Sequence, residues 1–343
     1  MVTRVSYDVT MPVPGTRRVT SADVARLAGV SRATVSYVLN DTPRQTISAD
    51  TRGRVLDAAA TLGYAPSAAA RTLRTGRSDV VLCLLPDWPI GPEVGAMLAN
   101  LSTGLARIGL TFVVHPGNRE DRPISDIWKA ITPAAVIAYA DLSPDEMAAM
   151  RAAGVALVVA LFGREPQHGR ELEVPQQLVG RRQVEHLTAA GHIRLGYACP
   201  DDERLQFFAE PRLAGVRSAC LAGGLPEPLV ETVALSAEAA ADSVRRWRAS
   251  GVTGVCAYND EVGLAVLAGV RLLGLTVPAD LAVVGVDDIP PARLAAPPLT
   301  TVTTDQSAVA AHLVETVLAA MKGEPGPVFQ AADLVGVVRR ESA

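Results

Sequence analysis

Aromatic residues are scarce in this chain: five Phe, six Tyr and three Trp make up 4% of 343 residues, against 49% hydrophobic residues in all. Small aliphatic side chains (Ala, Val, Leu) must therefore fill a large core. Long apolar runs are missing too. No stretch of about 18 residues is both apolar and free of charge, so no transmembrane helix and no membrane partner are expected. The N-terminus shows no charged start followed by an apolar stretch and a small-residue cleavage site, so no secretory signal is visible. Cysteine is limited to Cys83, Cys199, Cys220 and Cys256, with no CxxC pair. Each lies in or near an apolar segment and reads as a buried thiol, which fits a cytoplasmic location. His115, His168, His186, His192 and His312 do not fall at metal-ligand spacing, so neither metal nor cofactor is expected. A GxSxG elbow, a Walker loop and a paired Cys/His nucleophile are all absent, which argues against an enzyme.

Charge of one sign is short in each part of the chain. Between Gly15 and Arg77 there are ten arginines and only four acidic residues, Asp23, Asp41, Asp50 and Asp57, a balance of +6. Residues 78 to 343 carry −10, within an overall −4. A basic head on an acidic body points to a polyanionic partner for the head alone.

Residues 1 to 18 hold Pro12, Pro14 and Gly15 without apolar periodicity and read as a disordered tail, with Met1 and Met11 both open as starts. Three short helices follow. Thr20 with Asp23 has the form of a capping box, and Val24, Leu27 and Ala28 share one face. Gly29 ends that helix. Ser31 can cap the next, with Val35, Val38 and Leu39 inward. Ser48 caps a third that runs to Leu62, with Val55, Leu56, Ala59 and Leu62 inward, and Gly63 terminates it. The segment from Val24 to Ser36 has the layout of a helix-turn-helix. Gly29 permits the positive φ of the turn, and Val30 plugs the space between helices. The second helix presents Arg32, Ala33, Ser36 and Tyr37 outward, near the end that reads base edges in a major groove. An ordinary helical hairpin with a solvated face has the same spacing.

The longer pattern separates the two readings. Val19 to Arg77 resembles the headpiece of the lactose/galactose-repressor family of bacterial transcriptional regulators. The matching residues are Asp23 to Ser31, Ala33 to Ser36, Val38-Leu39-Asn40, Thr51-Arg52, Arg54-Val55-Leu56, Leu62-Gly63-Tyr64, Pro66, Ala68 to Arg71, and Leu73. The resemblance implies a double-stranded DNA partner, a near-palindromic operator bound by a homodimer and a nucleoid-associated location. Arg32 and Ala33 would set operator specificity, Thr34 and Asn40 would hold the backbone, and Thr20 and Ser31 join them as contact candidates. One position departs from the family. An arginine usually follows the Val-Ser pair, and this chain has Tyr37, which cannot fork onto a guanine. Pro66 to Arg74 resembles the family's hinge helix, too short to be stable alone in water. There Leu73 would wedge into the minor groove, flanked by Arg71 and Arg74.

From Asp79 onward short apolar strands alternate with amphipathic helices. Strands are expected at 80–85, 111–115, 135–139, 155–161, 193–198, 254–258 and 281–286. Helices are expected at 92–108, 144–153, 176–190, 210–223, 237–250, 260–274 and 305–322. Such alternation means parallel, doubly wound sheets, and the length calls for two lobes. This part resembles the family's effector domain, akin to periplasmic binding proteins. The matches include Gly191-His192, Arg212 to Gly215, Asn259-Asp260-Glu261, Val283 to Asp288 and Pro298 to Val302. The expected plan is thus an all-α head at 19–65, a hinge at 66–77, and a two-lobed α/β effector and dimerisation domain at 78–343.

Ligands of open α/β sheets sit at the carboxyl ends of strands. Asp287 and Asp288 follow one strand, and Asn259 follows another. Arg212 opens a helix on this reading. The resemblance implies that Arg212, Asn259 and Asp287 contact a small-molecule effector, and these groups suit a polyhydroxylated ligand such as a carbohydrate. For Asp287 a turn or N-cap role is the competing reading; Asp260 and Asp288 read as structural. Asp87 and Trp88 end the strand 80–85, where Trp88 could stack on a sugar face or lie in a partly exposed loop. Relatives often carry an aspartate at the position of Gln176, and 163–175 matches poorly, so effector identity does not transfer. A transport-type solute-binding protein is the alternative, disfavoured by the basic head and the missing signal. No heptad segment follows the strand-like run Leu334 to Val338, so no C-terminal coiled coil is expected.

Overall fold

The computed structural model describes residues 19–39, 46–64, 78–116, 123–139, 142–162, 171–174, 176–327 and 334–343. The expected tail (1–18), the hinge (66–77) and the candidates Asn40, Arg71, Leu73 and Arg74 lie outside the described residues. The chain divides into two compact units, Met1–Ser78 and Asp79–Ala343.

The first unit is helical. Helix α1 (Ser21–Ala28) starts where the Thr20 N–H and hydroxyl both donate to the Asp23 carboxylate, at 3.0 and 2.7 Å. It ends at Gly29, whose φ of 65° is left-handed and open to glycine at little cost. Helix α2 (Arg32–Leu39) is capped by the Ser31 hydroxyl, which accepts the Thr34 N–H at 3.0 Å. Helix α3 (Ala49–Thr61) is capped in the same way by Ser48 on Thr51. The core joins Val24, Ala25, Ala28, Val35, Val38, Val55, Ala58 and Ala59, with Leu39 and Leu62 at its edge.

Two of the expected inward leucines are exposed instead: Leu27 at 54% and Leu56 at 48%. Their places facing the core are taken by Ala25 and Ala58, whose short side chains let three short helices approach closely. Leu27 lines a shallow surface groove with Val19, Asp23, Arg26 and Leu62. Helix α3 also braces α1 through Arg54, whose Nη1 donates to the Ala28 carbonyl at 3.0 Å. That carbonyl belongs to the last turn of α1, where no intrahelical donor remains.

The second unit contains two sheets. Strands β1 (Val80–Leu85), β2 (Thr111–Pro116), β3 (Ala135–Ala138), β4 (Ala156–Phe162) and β5 (Glu171–Val174) form one, in the order β2-β1-β3-β4-β5, all parallel. Helices α4 (Pro92–Arg107), α5 (Ile124–Ile131) and α6 (Pro144–Ala152) belong with this sheet. The other sheet takes β6 (Leu195–Pro200), β7 (Leu229–Val233), β8 (Gly254–Ala257), β9 (Ala282–Val286), β10 (Thr300–Thr304) and β11 (Val335–Val338), ordered β11-β10-β9-β8-β6-β7. Among the described strands of this sheet only β11 runs antiparallel. Its helices are α7 (Gln176–Ala189), α8 (Gln206–Ala222), α9 (Ala237–Ala249) and α10 (Asp260–Leu272). Helix α11 (Gln306–Lys322) leaves the second sheet and buries Val309, Leu313 and Val317 against Leu101 and Leu105 of α4 in the first lobe's core. The two-lobed, doubly wound architecture is as expected.

Four elements were not foreseen: α5, β5, β7 and β10. Strand β10 reads TTVTT and lacks an apolar run, yet Thr300 and Thr301 are fully buried. Their polar groups are satisfied inside, as the Thr300 N–H donates to Ser342 Oγ at 2.8 Å and the Thr301 hydroxyl to Asp260 at 2.6 Å. Helix α8 starts at Gln206 rather than 210, with Pro211 inside it. Arg212 therefore lies within a helix instead of opening one. Helices α7 and α8 touch at two glycines. A Cβ on Gly215 would fall 2.0 Å from the Gln177 carbonyl oxygen, and one on Gly180 would fall 2.1 Å from that of Arg212. This contact brings the N-terminus of α7 to the middle of α8.

Candidate functional site

On the head, the face of α2 opposite Val35 and Val38 is open. Arg32 and Ala33 are exposed in its first turn, and Tyr37, one turn further on, is 36% exposed. Thr34 is half-buried, and its hydroxyl shares a 2.9 Å hydrogen bond with that of Ser31. Both side chains help fix the start of α2. Thr20, also exposed, is engaged with Asp23. A helix with apolar residues turned in and a guanidinium, a methyl and a phenol turned out can offer groups of three kinds to base edges.

In the body, a cleft of about 130 Å³ lies between the two sheets' strand ends, with Arg212 in its lining. The guanidinium is buried. Its Nε donates to Gln176 Oε1 at 2.7 Å, Nη1 to the Tyr258 carbonyl at 2.7 Å, and Nη2 to Asp287 Oδ1 at 3.4 Å. It also lies 4.8 Å from the centre of the Tyr258 ring. The close approach of α7 and α8 is what carries Gln176 to Arg212.

Asp287 sits just beyond β9 with φ 101°, followed by Asp288 with φ 52°. Two consecutive non-glycine residues in left-handed conformations are costly, and such strain concentrates at functional sites. The surroundings hold it in place. The Asp287 N–H donates to the Val302 carbonyl at 2.8 Å, and the Ile289 N–H to the buried Asp260 carboxylate at 2.9 Å. Gly285 makes room for that carboxylate, because a Cβ there would meet Asp260 Oδ1 at 2.1 Å. Asp288 turns away to Arg340. Asp260 and Asp288 are thus structural supports of the loop. Burial raises the Asp287 carboxyl, against the opposing pull of the Arg212 guanidinium.

Asn259 caps α10 through Val262 N–H at 3.0 Å and also lines the cleft. Trp88 is buried rather than set in an exposed loop. It packs on Phe208 at 4.6 Å and Tyr139 at 5.7 Å between ring centres, and lines the apolar wall. Asp87 corrects the expectation: it is not in the lining, its side chain is 73% exposed, and its described ion pair is with Arg204 at 3.8 Å. It points out because the chain turns after β1 to bring Trp88 inward.

Sequence reasoning missed Glu93, in the first turn of α4. It lines the cleft from the first lobe and accepts a hydrogen bond from Gln306 Nε2. Burial, followed by the nearby Asp287 carboxylate, pushes its carboxyl up to about 8, with Gln306 and Arg212 opposing. The rule that singled out Asp287 would have reached Glu93 had it been carried past the loop after β1 to the next helix start. Among the described residues no cluster of His, Cys, Asp and Glu could hold a metal ion, and no helix is long and apolar enough to cross a membrane.

Residues 20–67 match the family described as bacterial regulatory proteins, lacI family, and residues 184–343 match the periplasmic binding protein-like domain. The transcriptional regulator CelR of Thermobifida fusca is 33% identical over 308 residues, covering 83% of this chain and 87% of CelR. The chain belongs to the lacI family. Among solved structures, a CelR–cellobiose complex superposes with a TM-score of 0.63 at 26% identity, over 95% of this chain and 100% of the other. The lac repressor dimer bound to operator and the anti-inducer ONPF gives 0.77 at 24% identity, over 95% and 99%, a likeness of fold. As a lacI-family member the protein is a DNA-binding transcriptional regulator, and the solute-binding alternative is set aside. The curated relatives are regulators rather than enzymes.

Proposed function

We propose that the protein is a homodimeric repressor whose operator affinity is set by a sugar or sugar derivative bound in the body's cleft. Residues 19–65 form the reading head, 66–77 the hinge and 78–343 the sensing and dimerising body. The buried Arg212–Asp287 pair carries the effector reading. It places a guanidinium and a carboxylate beside Asn259 and against an aromatic wall with Trp88, the combination that suits a polyhydroxylated ligand. The cellobiose bound by CelR supports the same class.

On the head, Arg32, Ala33 and Tyr37 read base edges, while Thr20, Ser31 and Thr34 position the backbone. Asn40, Arg71, Leu73 and Arg74, assigned from the resemblance alone, complete the DNA contacts. Two heads on one dimer require two half-sites related by a dyad. The coupling works if the ligand binds one arrangement of the lobes more tightly than the other, since only differential affinity shifts an equilibrium.

Selection of duplexes from a random library at fixed salt, followed by footprinting, tests the DNA reading. The expected product is a dyad-symmetric site. Arg32→Ala should cost about 1–3 kcal/mol of operator affinity and relax preference at one base position. Enrichment of no dyad-related sequence would refute the assignment.

A further inference from the structure

The second sheet splits between β8 and β9 where the cleft opens. Pairing of these two strands ends at Cys256–Val284. Each stays joined to its outer neighbour for longer. The Tyr258 N–H still donates to the Ala198 carbonyl of β6 at 2.9 Å, and the Asp287 N–H to the Val302 carbonyl of β10 at 2.8 Å. The inner strands therefore part just before one delivers Tyr258 and Asn259, and the other Asp287, to the site. Arg212 spans the gap at its mouth, with Nη1 on the Tyr258 carbonyl and Nη2 on Asp287.

At the root of the gap stands Gln183 of α7, which is fully buried. Its Nε2 donates to the Ala257 carbonyl at 2.8 Å, the Val284 carbonyl at 2.9 Å and the Gly285 carbonyl at 3.3 Å. Only the nitrogen end of an amide can serve carbonyl oxygens, so the side chain has one orientation. Its Oε1 has no hydrogen-bond partner among the described residues. An unpaired buried acceptor costs stability, so what Gln183 contributes lies with its nitrogen. Asp260 braces the strand ends separately, from α10. Gly254 faces Leu187 of α7 and Ala257 faces Gly263 of α10, so the two helices cover opposite faces of the sheet. Helix α7 thus carries two buried glutamines seven residues apart, close to two turns and hence on one side. Gln176 orients Arg212 directly. Gln183 holds the two strands between which Arg212 is strung.

We propose that Gln183, which is not in the lining of the cleft, is a positioning residue for effector recognition. It fixes the gap between β8 and β9, and through it the placement of Arg212 and Asp287 toward a ligand. The inference rests on the reading of the cleft as the effector site. Without the amide donor, the Ala257, Val284 and Gly285 carbonyls lose the group that draws them together, and the anchors of Arg212 shift apart.

The test uses the full-length protein and two variants. Gln183→Met keeps the length of the side chain and removes the donor. Val244→Ala, a truncation on α9 in the core of the same lobe, controls for lost stability alone. Hydrogen exchange is followed without ligand, and binding of glucose, galactose, mannose and cellobiose is measured by calorimetry. In Gln183→Met, exchange over 257–260 and 284–289 should quicken more than elsewhere in the second sheet. The affinity of a sugar that binds should fall roughly tenfold, the equivalent of one lost hydrogen bond. Val244→Ala should loosen the lobe without that localisation and leave sugar affinity within about twofold, as independent sites do. Unchanged exchange at the two strand ends in Gln183→Met would overturn the proposal, as would an affinity loss no greater than that of Val244→Ala. Failure of the underlying reading looks different. Sugar binding that persists unchanged in Asp287→Ala, or a panel in which no sugar binds the wild-type protein, would overturn the proposal at its premise, while exchange still reports what Gln183 does to the strands.

Discussion

On α2 of the head, Arg32, Ala33 and Tyr37 reach into solvent from a single helix, all within six residues of one another in sequence. In the cleft of the body, Glu93, Gln176, Arg212, Asn259, Asp287 and Gln306 come from six separate places in the chain. Gln176 and Arg212 are buried, the others partly so, and most bond to one another. In the proposed function the first arrangement serves to read a large external polyanion, by offering groups that are not yet committed. The second preorganises a pocket, where an uncommitted charge would be costly. Substitutions in the head site should therefore alter function while sparing stability. In the cleft the two should fall together.

The largest effect is expected from Arg212→Ala. It removes one partner of a buried ion pair whose side chains are 8% and 13% exposed. The loss should be about 3–5 kcal/mol, seen as a lower denaturant midpoint, together with loss of ligand response. Arg212→Lys should not restore the response, since an ammonium cannot serve Gln176, Tyr258 and Asp287 in one plane. Gly215→Ala comes next. Its Cβ would fall 2.0 Å from the Gln177 carbonyl oxygen, and relieving that overlap should cost about 1–3 kcal/mol or more and move Gln176 off Arg212. The body's melting transition should fall while that of the head stays in place.

A pH series sharpens the contrast further. The Glu93 carboxyl rises from 4.5 to about 8 in the folded protein, facing Asp287, Arg212 and Asp260 as well as Gln306. A raised carboxyl favours the folded state fully below pH 4.5, and that contribution is lost as pH climbs through 8. Asp260, raised to about 7 by burial against the pull of Thr301 and Ile289, acts in the same direction. Glu93→Gln should therefore flatten the decline in melting temperature between pH 5 and 9, by an amount on the order of 1–2 kcal/mol. The smallest effects are expected in the head. Arg54→Ala removes the bond to the Ala28 carbonyl and should cost about 0.5–1 kcal/mol, because that side chain is half exposed. Arg32→Ala should change stability by less than about 0.5 kcal/mol even as operator affinity falls.

The same difference explains what could be read from the sequence. Caps and glycine stops are local signals, so Thr20 with Asp23, Gly29, Ser31 and Ser48 all stood where the folded head has them. Inward direction depends on neighbours, and there Leu27 and Leu56 went astray. In the body, apolar runs marked most strands, but β10 hides its burial behind threonine hydroxyls that find partners in distant Ser342 and Asp260. Asp287 was legible from its place after a strand. Its left-handed φ was not, and neither was the α7–α8 contact that unites Gln176 with Arg212. Glu93 was missed because nothing within α4 shows that Gln306, more than two hundred residues later, packs against it.

The central claim is that the head and the cleft are energetically coupled. Calorimetric binding of a responding sugar, measured with and without saturating operator duplex at one salt concentration, tests it directly. The ligand's affinity should differ between the two titrations by the same factor, about 5- to 150-fold, by which the ligand changes operator affinity, because linkage is reciprocal. Equal ligand affinity in the presence and absence of operator would contradict the account.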